Sequence, residues 1–277
     1  MSTLRRVVAA FPHRRILVIG DLIFDVYHTG TPLKISAETP TVVAQAHRRE
    51  VSWGGAGLVC RNLLELGGKV TFISVLGDDE LSRHATGFSH PNLTPVFINE
   101  PGRTTTVKER FWVSGYKLLQ WDHLDNRPIS RATERAILAA ARKHLPLMNA
   151  IVVLDARHGM MTERLARALV AETRRARVPI YVDSQVSQRE ANHHWYRGAH
   201  AICLNRREAA DVDGKFDPAR LRASASRLAR LLKVRHLAMK LGEEGAAGWF
   251  GGTYLTAPVH PVRAADTTGA GDAFLAA

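Results

Sequence analysis

Two cysteines in 277 residues cannot build a disulfide framework. Cys60 and Cys203 each lie in an apolar context without metal-like spacing, so they read as buried thiols of a reducing compartment. No apolar run approaches the roughly eighteen residues of a membrane span, and Met1 to Arg15 lacks the apolar centre of a secretory signal. The expectation is a soluble, cytoplasmic protein with no membrane partner. Acids are scarce too: 26 Asp and Glu stand against 38 Lys and Arg, a formal charge of +12. That surplus attracts nucleic acid, anionic lipid or phosphorylated metabolites. Nucleic acid fits least well, because Arg174, Arg175 and Arg177, like Arg206 and Arg207, fall on helical patterns that a solvated face explains, and no aromatic-interleaved basic stripe occurs. Internal repeats, low-complexity stretches and Pro-rich linkers are also absent, so residues 1–277 read as one domain.

What is present is an alternation of apolar runs and helical patterns. Arg15 to Gly20 reads as a buried parallel strand, with Asp21 and Asp25 following at its carboxyl end. Ala56 to Leu66 reads as a helix opened by Trp53-Gly54-Gly55-Ala56-Gly57, and Val70 to Val75 as the next strand. Helices are expected over Ala132 to Leu145 and Thr162 to Arg177. Strands are expected over Ala150 to Leu154, Pro179 to Val182, Ala201 to Leu204 and Leu237 to Gly242, with Gly245 to Phe250 as a hairpin partner. The implied class is α/β, a doubly wound, mainly parallel sheet. Two β-like stretches of similar character, about 27–52 and 104–122, are expected to pair into a small lid that keeps water from the site.

Polar residues recur at the strand ends where ligands of such sheets collect. Asp25 suits sugar hydroxyls, or helix capping. Gly54 and Gly55 allow backbone to approach a substrate, or a helix to pack closely. Asn205 and Glu208, at i and i+3, suit a hydrated Mg²⁺ held through waters, or a helix N-cap with its capping-box partner. Gly77-Asp78-Asp79 reads as a turn and helix start rather than a metal site. Arg263 faces nucleotide phosphates or solvent. His158, His193 and His194 lack metal-ligand spacing and are expected at the surface.

The most informative stretch is Asp266-Thr267-Thr268-Gly269-Ala270-Gly271-Asp272-Ala273-Phe274. Its glycines let backbone fold around a ligand, and the N–H groups of a starting helix favour an anion. Asp272, in the first turn, stands where a base could take a proton from an attacking hydroxyl. The plain alternative is a turn followed by a first-turn helix acid.

This run resembles the signature of the PfkB-type, ribokinase-like carbohydrate kinases. The likeness extends over nearly the whole chain, through Gly20-Asp21 with Asp25, Lys34 to Pro40, Gly54-Gly55-Ala56, Thr104 to Lys108 and Asn205 to Glu208. Within the family it is most similar to the heptose-7-phosphate kinases. The resemblance implies phosphorylation of the anomeric hydroxyl of a heptose 7-phosphate by ATP with Mg²⁺, a step toward ADP-heptose and lipopolysaccharide. It implies Asp272 as base and the amides of Gly269, Ala270 and Gly271 as the transition-state clamp. Asp25, Gly54, Gly55 and Lys108 would face the sugar, Asn205, Lys240, Gly242 and Thr268 the nucleotide, and Asn205 with Glu208 the Mg²⁺. A homodimer joined through the lids is the implied partner state. Three departures stand out: Leu58 where the family carries asparagine, Ser114 to Leu118, and Asp183-Ser184-Gln185-Val186. The family also continues through the last helix into further helices near the adenine, so a C-terminal part is expected to be missing from this sequence. The alternatives are another PfkB-type sugar kinase, or a non-catalytic sugar-phosphate or nucleotide binder.

Overall fold

A computed structural model describes residues 3–186, 190–259 and 267–277. Arg263 lies outside the described residues, as does Asp266.

The larger of two sheets is set by continuous apolar strands. β1 (Arg15–Gly20), β4 (Lys69–Leu76), β5 (Leu93–Asn99), β8 (Ala150–Asp155), β9 (Ile180–Ser184), β10 (Ala201–Asn205) and β11 (His236–Lys240) run parallel, and β12 (Ala246–Phe250) with β13 (Thr253–Ala257) closes one edge antiparallel. The order is β13-β12-β11-β10-β9-β8-β1-β4-β5. Because successive side chains point to opposite faces, these strands feed two cores at once. Leu17, Ile19, Ile151 and Val153 pack under α4 (Arg131–His144), α5 (Glu163–Ala176) and α7 (Leu221–Leu232). Val18, Val152 and Leu154 pack on the other face, with Val59 and Leu63 of α2 (Ala56–Glu65) and Leu275 of α8 (Ala270–Ala276). On that second face a cavity of about 540 Å³, lined by Ile16, Val152, Tyr181, Cys203, Ala238 and Phe274, leaves apolar strand surface uncovered. Both cysteines are buried and free.

Helix ends follow local chemistry. Ser130, Thr162 and Asp79 cap α4, α5 and α3 (Glu80–Gly87) through side-chain oxygens, so Gly77 to Asp79 is the turn and helix start that its composition suggested. Asn205 and Glu208 form a reciprocal capping box on α6 (Arg206–Val212).

The second sheet, ordered β3-β2-β6-β7, holds β2 (Leu22–Ile35), β3 (Val42–Gly55), β6 (Val107–Val113) and β7 (Tyr116–His123). The short pieces expected over 27–52 are instead two strands of 14 residues each. β2 is buried from Leu22 to Val26 and largely exposed from His28 on, so one strand starts in the core and ends in the appendage, and apolar content alone hides its continuity. Among the described residues no helix is long and apolar enough to cross a membrane.

Candidate active site

β1 lies between β4 and β8, where the winding reverses, and a crevice at the strand carboxyl ends is the usual ligand site of such a sheet. Asp21, Asp155, Asp183, Asn205 and Lys240 all sit at those ends.

They do different work. Asp21 is buried and accepts N–H groups from Ala156 (3.1 Å) and Met160 (3.3 Å), which ties the loop after β8 to β1. Burial, and then the neighbouring Asp155 charge, pushes its carboxyl up to about 7. Asp155 accepts hydrogen bonds from Ser184, Asn192 and Tyr196, all buried, and so anchors the segment after β9. These two acids hold the crevice floor in place.

Asp25 differs. It stands on β2 opposite Lys108 of β6, at the junction of crevice and second sheet. The Arg110 guanidinium donates to its Oδ1 at 2.5 Å, with both side chains largely buried. Burial alone would lower the Arg110 pKa, but the Asp25 bond and charge raise it, so the cation is kept. Arg110 was not singled out from sequence. The available signal was period two: Lys108 and Arg110 share one face of β6. Gly54 crowds the same carboxylate, because a Cβ there would lie 2.1 Å from Asp25 Oδ2. Gly54→Ala is therefore expected to displace the Asp25 carboxylate and, with Asp25 facing the sugar as the resemblance implies, to raise the KM for the sugar roughly 10–100-fold, the worth of a hydrogen bond to a charged group. The KM for nucleotide should stay put. Steady-state kinetics in both substrates, beside a thermal melt, checks this.

Gly269 caps α8 at φ 81, a conformation that L side chains rarely adopt, and Leu58 Cδ2 occupies the space 2.6 Å from where its Cβ would be. An apolar side chain thus lines the turn at the position where the resemblance expects asparagine. Asp272 lies in the first turn of α8. Burial is the main reason its carboxyl is pushed up to about 7; the charges of Asp183 and Asp25 push the same way, while Lys240 and Lys108 pull back. That pattern of influence brings residues from β2, β6, β9, β11 and α8 around one carboxylate.

Lys240 is the cation of this group. It forms an ion pair with Asp183, and its Nζ would be 3.4 Å from a Cβ on Gly271. Burial would lower the Lys240 pKa, but the charge and hydrogen bond of Asp183 raise it. Glu208 Oε2 accepts the Asn205 N–H at 2.6 Å, and burial followed by the Asp183 charge pushes its carboxyl up to about 7.

Other expected residues fare unevenly. The Ala270 N–H donates to Thr267 O at 3.2 Å, so the turn itself uses an amide that the resemblance assigned to charge stabilisation. Asn205 spends its side chain on the Glu208 N–H at 2.9 Å, which is the capping alternative. Gly242, at φ 64, begins the turn after β11 in open space, and Thr268 is exposed beside Gly269. His158 and His193 are buried rather than at the surface, whereas His194 is exposed. His193 follows the Asp155-anchored segment inward, and burial pushes its ring pKa down to about 3. Among the described residues, no group of three or more His, Cys, Asp or Glu is arranged to hold a metal directly.

In sequence and in fold the chain is similar to known proteins. Three curated relatives, each named "Bifunctional protein HldE", come from Rhodopseudomonas palustris (strain BisA53), Caulobacter sp. (strain K31) and Geobacter sulfurreducens. They are 32%, 34% and 33% identical over 270, 277 and 266 residues, covering 95%, 98% and 94% of this chain but 54%, 55% and 53% of theirs. The chain thus spans about half the length of the curated relatives it matches. In fold it is similar to phosphofructokinase-2 from Escherichia coli in complex with fructose-6-phosphate, with a TM-score of 0.74 at 16% identity over 95% of this chain and 85% of that one. Ribokinase from Giardia lamblia gives 0.70 at 15% identity over 95% and 80%. The profile described as pfkB family carbohydrate kinase matches residues 13–277, and the chain belongs to that family.

Proposed function

We propose that this phosphotransferase, whose acceptor is an alcohol group as in the family at large, moves the γ-phosphoryl of ATP to the anomeric hydroxyl of a heptose 7-phosphate. The product is the 1,7-bisphosphate, a precursor of ADP-heptose. The carrying observation is Asp272, a carboxyl at about 7 within electrostatic reach of Asp25 and Lys108, beside a glycine turn. The resemblance to the heptose-7-phosphate kinases, together with the identity to relatives named "Bifunctional protein HldE", supports heptose as the sugar.

In this reading Asp25, held by Arg110, accepts sugar hydroxyls, and Lys108 carries positive charge toward the reacting end. Asp272 takes the hydroxyl proton as the sugar oxygen bonds to phosphorus and the β–γ bridging P–O bond breaks, leaving ADP. The first-turn amides of Gly269 and Gly271, with Lys240 alongside, stabilise the transferring charge. Gly242 and Thr268 border the nucleotide. The acids fit a divalent cation: Asp183 Oδ1 is buried without a hydrogen-bond partner, and Glu208 is a hard oxygen donor close to it. Asp183, Glu208 and Asn205 would hold Mg²⁺ through waters, and the ion would neutralise nucleotide phosphate charge. The second sheet acts as lid. Its edge strand β7 exposes Tyr116, Leu118, Leu119 and Trp121, a surface fit for a second copy of the chain in a lid-to-lid homodimer.

ADP release from ATP and Mg²⁺ across a panel of heptose, hexose and pentose phosphates tests the substrate. The highest kcat/KM should fall on heptose 7-phosphate; preference for another sugar phosphate would move the chain elsewhere in the family. No turnover with any of them would favour a non-catalytic binder.

A further inference from the structure

The opposite end of the sheet carries a second concentration of charge. Between the C-terminal ends of α5 and α7, at the starts of β9, β10 and β11, lies a cleft of about 450 Å³. Arg174, Arg177, Lys233, Arg235 and His200 line it, and no acid does. Each strand here is five residues long, so the cleft lies roughly 16 Å from the Asp183, Asn205 and Lys240 end of the same strands.

Basic residues at helix C-termini have an ordinary explanation, since they offset the helix dipole. The magnitudes do not match here. Two helix ends supply about −0.5 charge each, whereas Arg174, Arg177, Lys233 and Arg235 supply four positive charges. The nearby Glu172 is already paired with Arg142 and Arg175, and among the described residues no carboxylate forms an ion pair with any of the four. The excess is also held in place. Arg174 donates twice to Gly198 O, at 3.2 and 3.0 Å, in space that any side chain at Gly198 would fill. Arg177 and Lys233 are the left-handed C-caps of α5 and α7, at φ 56 and 54, so the two helix ends present a cation each by the same device.

His200, which lines the cleft, stands against His236, which lines the apolar cavity on the second face of the sheet. The rings of His200 and His236 lie 4.8 Å apart, with Tyr181 and Phe250 on their outer sides. Both have lowered pKa values, chiefly through burial; Arg235 adds to this for each, and His200 adds to it for His236.

We propose that this cleft is an anion site, separate from the phosphoryl-transfer crevice, that takes a small phosphorylated metabolite. Its volume falls in the range of small-molecule pockets, and its shape is concave and lined between the charges by Val178, Pro179 and Ala199 rather than by exposed aromatic rings that would stack bases. Phosphate oxygens match the guanidinium forks of Arg177 and Arg235, with Lys233 as a point charge and Arg174, whose Nε and Nη2 are on Gly198 O, adding its charge.

The test uses the two histidines as reporters, in the full chain. Ring-proton NMR titrations are run with inorganic pyrophosphate, with sodium chloride at matched ionic strength, and with a short single-stranded DNA; His200→Gln and His236→Gln assign the signals. Pyrophosphate should move both titration midpoints upward, and sodium chloride should not. Arg177→Asn with Lys233→Asn keeps residues that accept the left-handed caps and should weaken the pyrophosphate response about tenfold or more. If that variant does not fold, Arg235→Gln should weaken it in the same direction. An equal response to sodium chloride, an undiminished response in a folded variant, or a response to DNA alone overturns the proposal. None of these readings depends on turnover at Asp272.

Discussion

Asp272→Asn is expected to lower kcat by about 10²–10⁴-fold, the usual contribution of a positioned general base, while sugar phosphate and nucleotide still raise the melting temperature through binding. Asparagine keeps the size of the side chain and the N-terminal turn of α8, so lost turnover with retained binding isolates proton transfer. The wild-type pH profile adds a second reading. With the Asp272 carboxyl at about 7, kcat/KM should climb as pH rises through about 7 and level off above it, because only the carboxylate accepts a proton. The residual activity of the variant should lack that limb. A variant that turns over within threefold of wild type, or keeps the limb, would assign the base elsewhere.

The same carboxyl has a stability consequence of opposite sign. Its ordinary value is 3.8 and its folded value about 7, so between these the folded state binds more protons than the unfolded state. Wild-type stability from this group is therefore complete below pH 4 and is lost as pH rises through 7. Asparagine does not titrate. The variant should be the more stable protein at pH 8 by roughly 1–2 kcal/mol once solvent screening is allowed for, with the gap closing by pH 4. Activity and stability thus pull against each other at one side chain.

The fold was largely legible because its signals are local. A parallel strand buried on both faces is a continuous apolar run, and β1, β4, β8, β10 and β11 announce themselves that way. The glycine turn with Asp272 is likewise contained within four residues. What was hidden joins distant positions. Arg110 and Asp25 are 85 residues apart, and Lys240 and Asp183 are 57 apart, so nothing near either acid names its partner. His193 read as a surface residue because the segment around it is polar; it is drawn inward by the hydrogen bonds that Asn192 and Tyr196 make to Asp155. The Ala270 amide read as free because first-turn amides usually are, until the turn closed back on Thr267. The division of labour between Asp21 and Asp25 was illegible for a similar reason. They are four positions apart, yet one faces the backbone of the β8 loop and the other an arginine from β6.

Lys240→Met tests whether the ion pair at the centre of the crevice is structural, electrostatic or both. Removing one partner of a buried pair leaves the other charge uncompensated, a loss of about 3 kcal/mol, and here Asp183 would keep its carboxylate almost fully buried with Oδ1 already lacking a hydrogen-bond partner. The melting temperature should fall by roughly 6–12 °C. Lys240→Met combined with Asp183→Asn should recover most of that loss, because the double variant buries no charge; simple additivity of the two single losses would show that the pair is not coupled. The electrostatic reading comes from pH. Lys240 pulls the Asp272 carboxyl down and Asp183 pushes it up, so the lysine variant should move the rising limb of kcat/KM toward alkaline pH and the double variant should bring it back. If both variants lose stability but leave the limb where it is, Lys240 only holds the strand ends together. A limb that moves as stated makes β11 part of the apparatus that keeps Asp272 near neutrality, the range in which a base can both accept a proton and give it up.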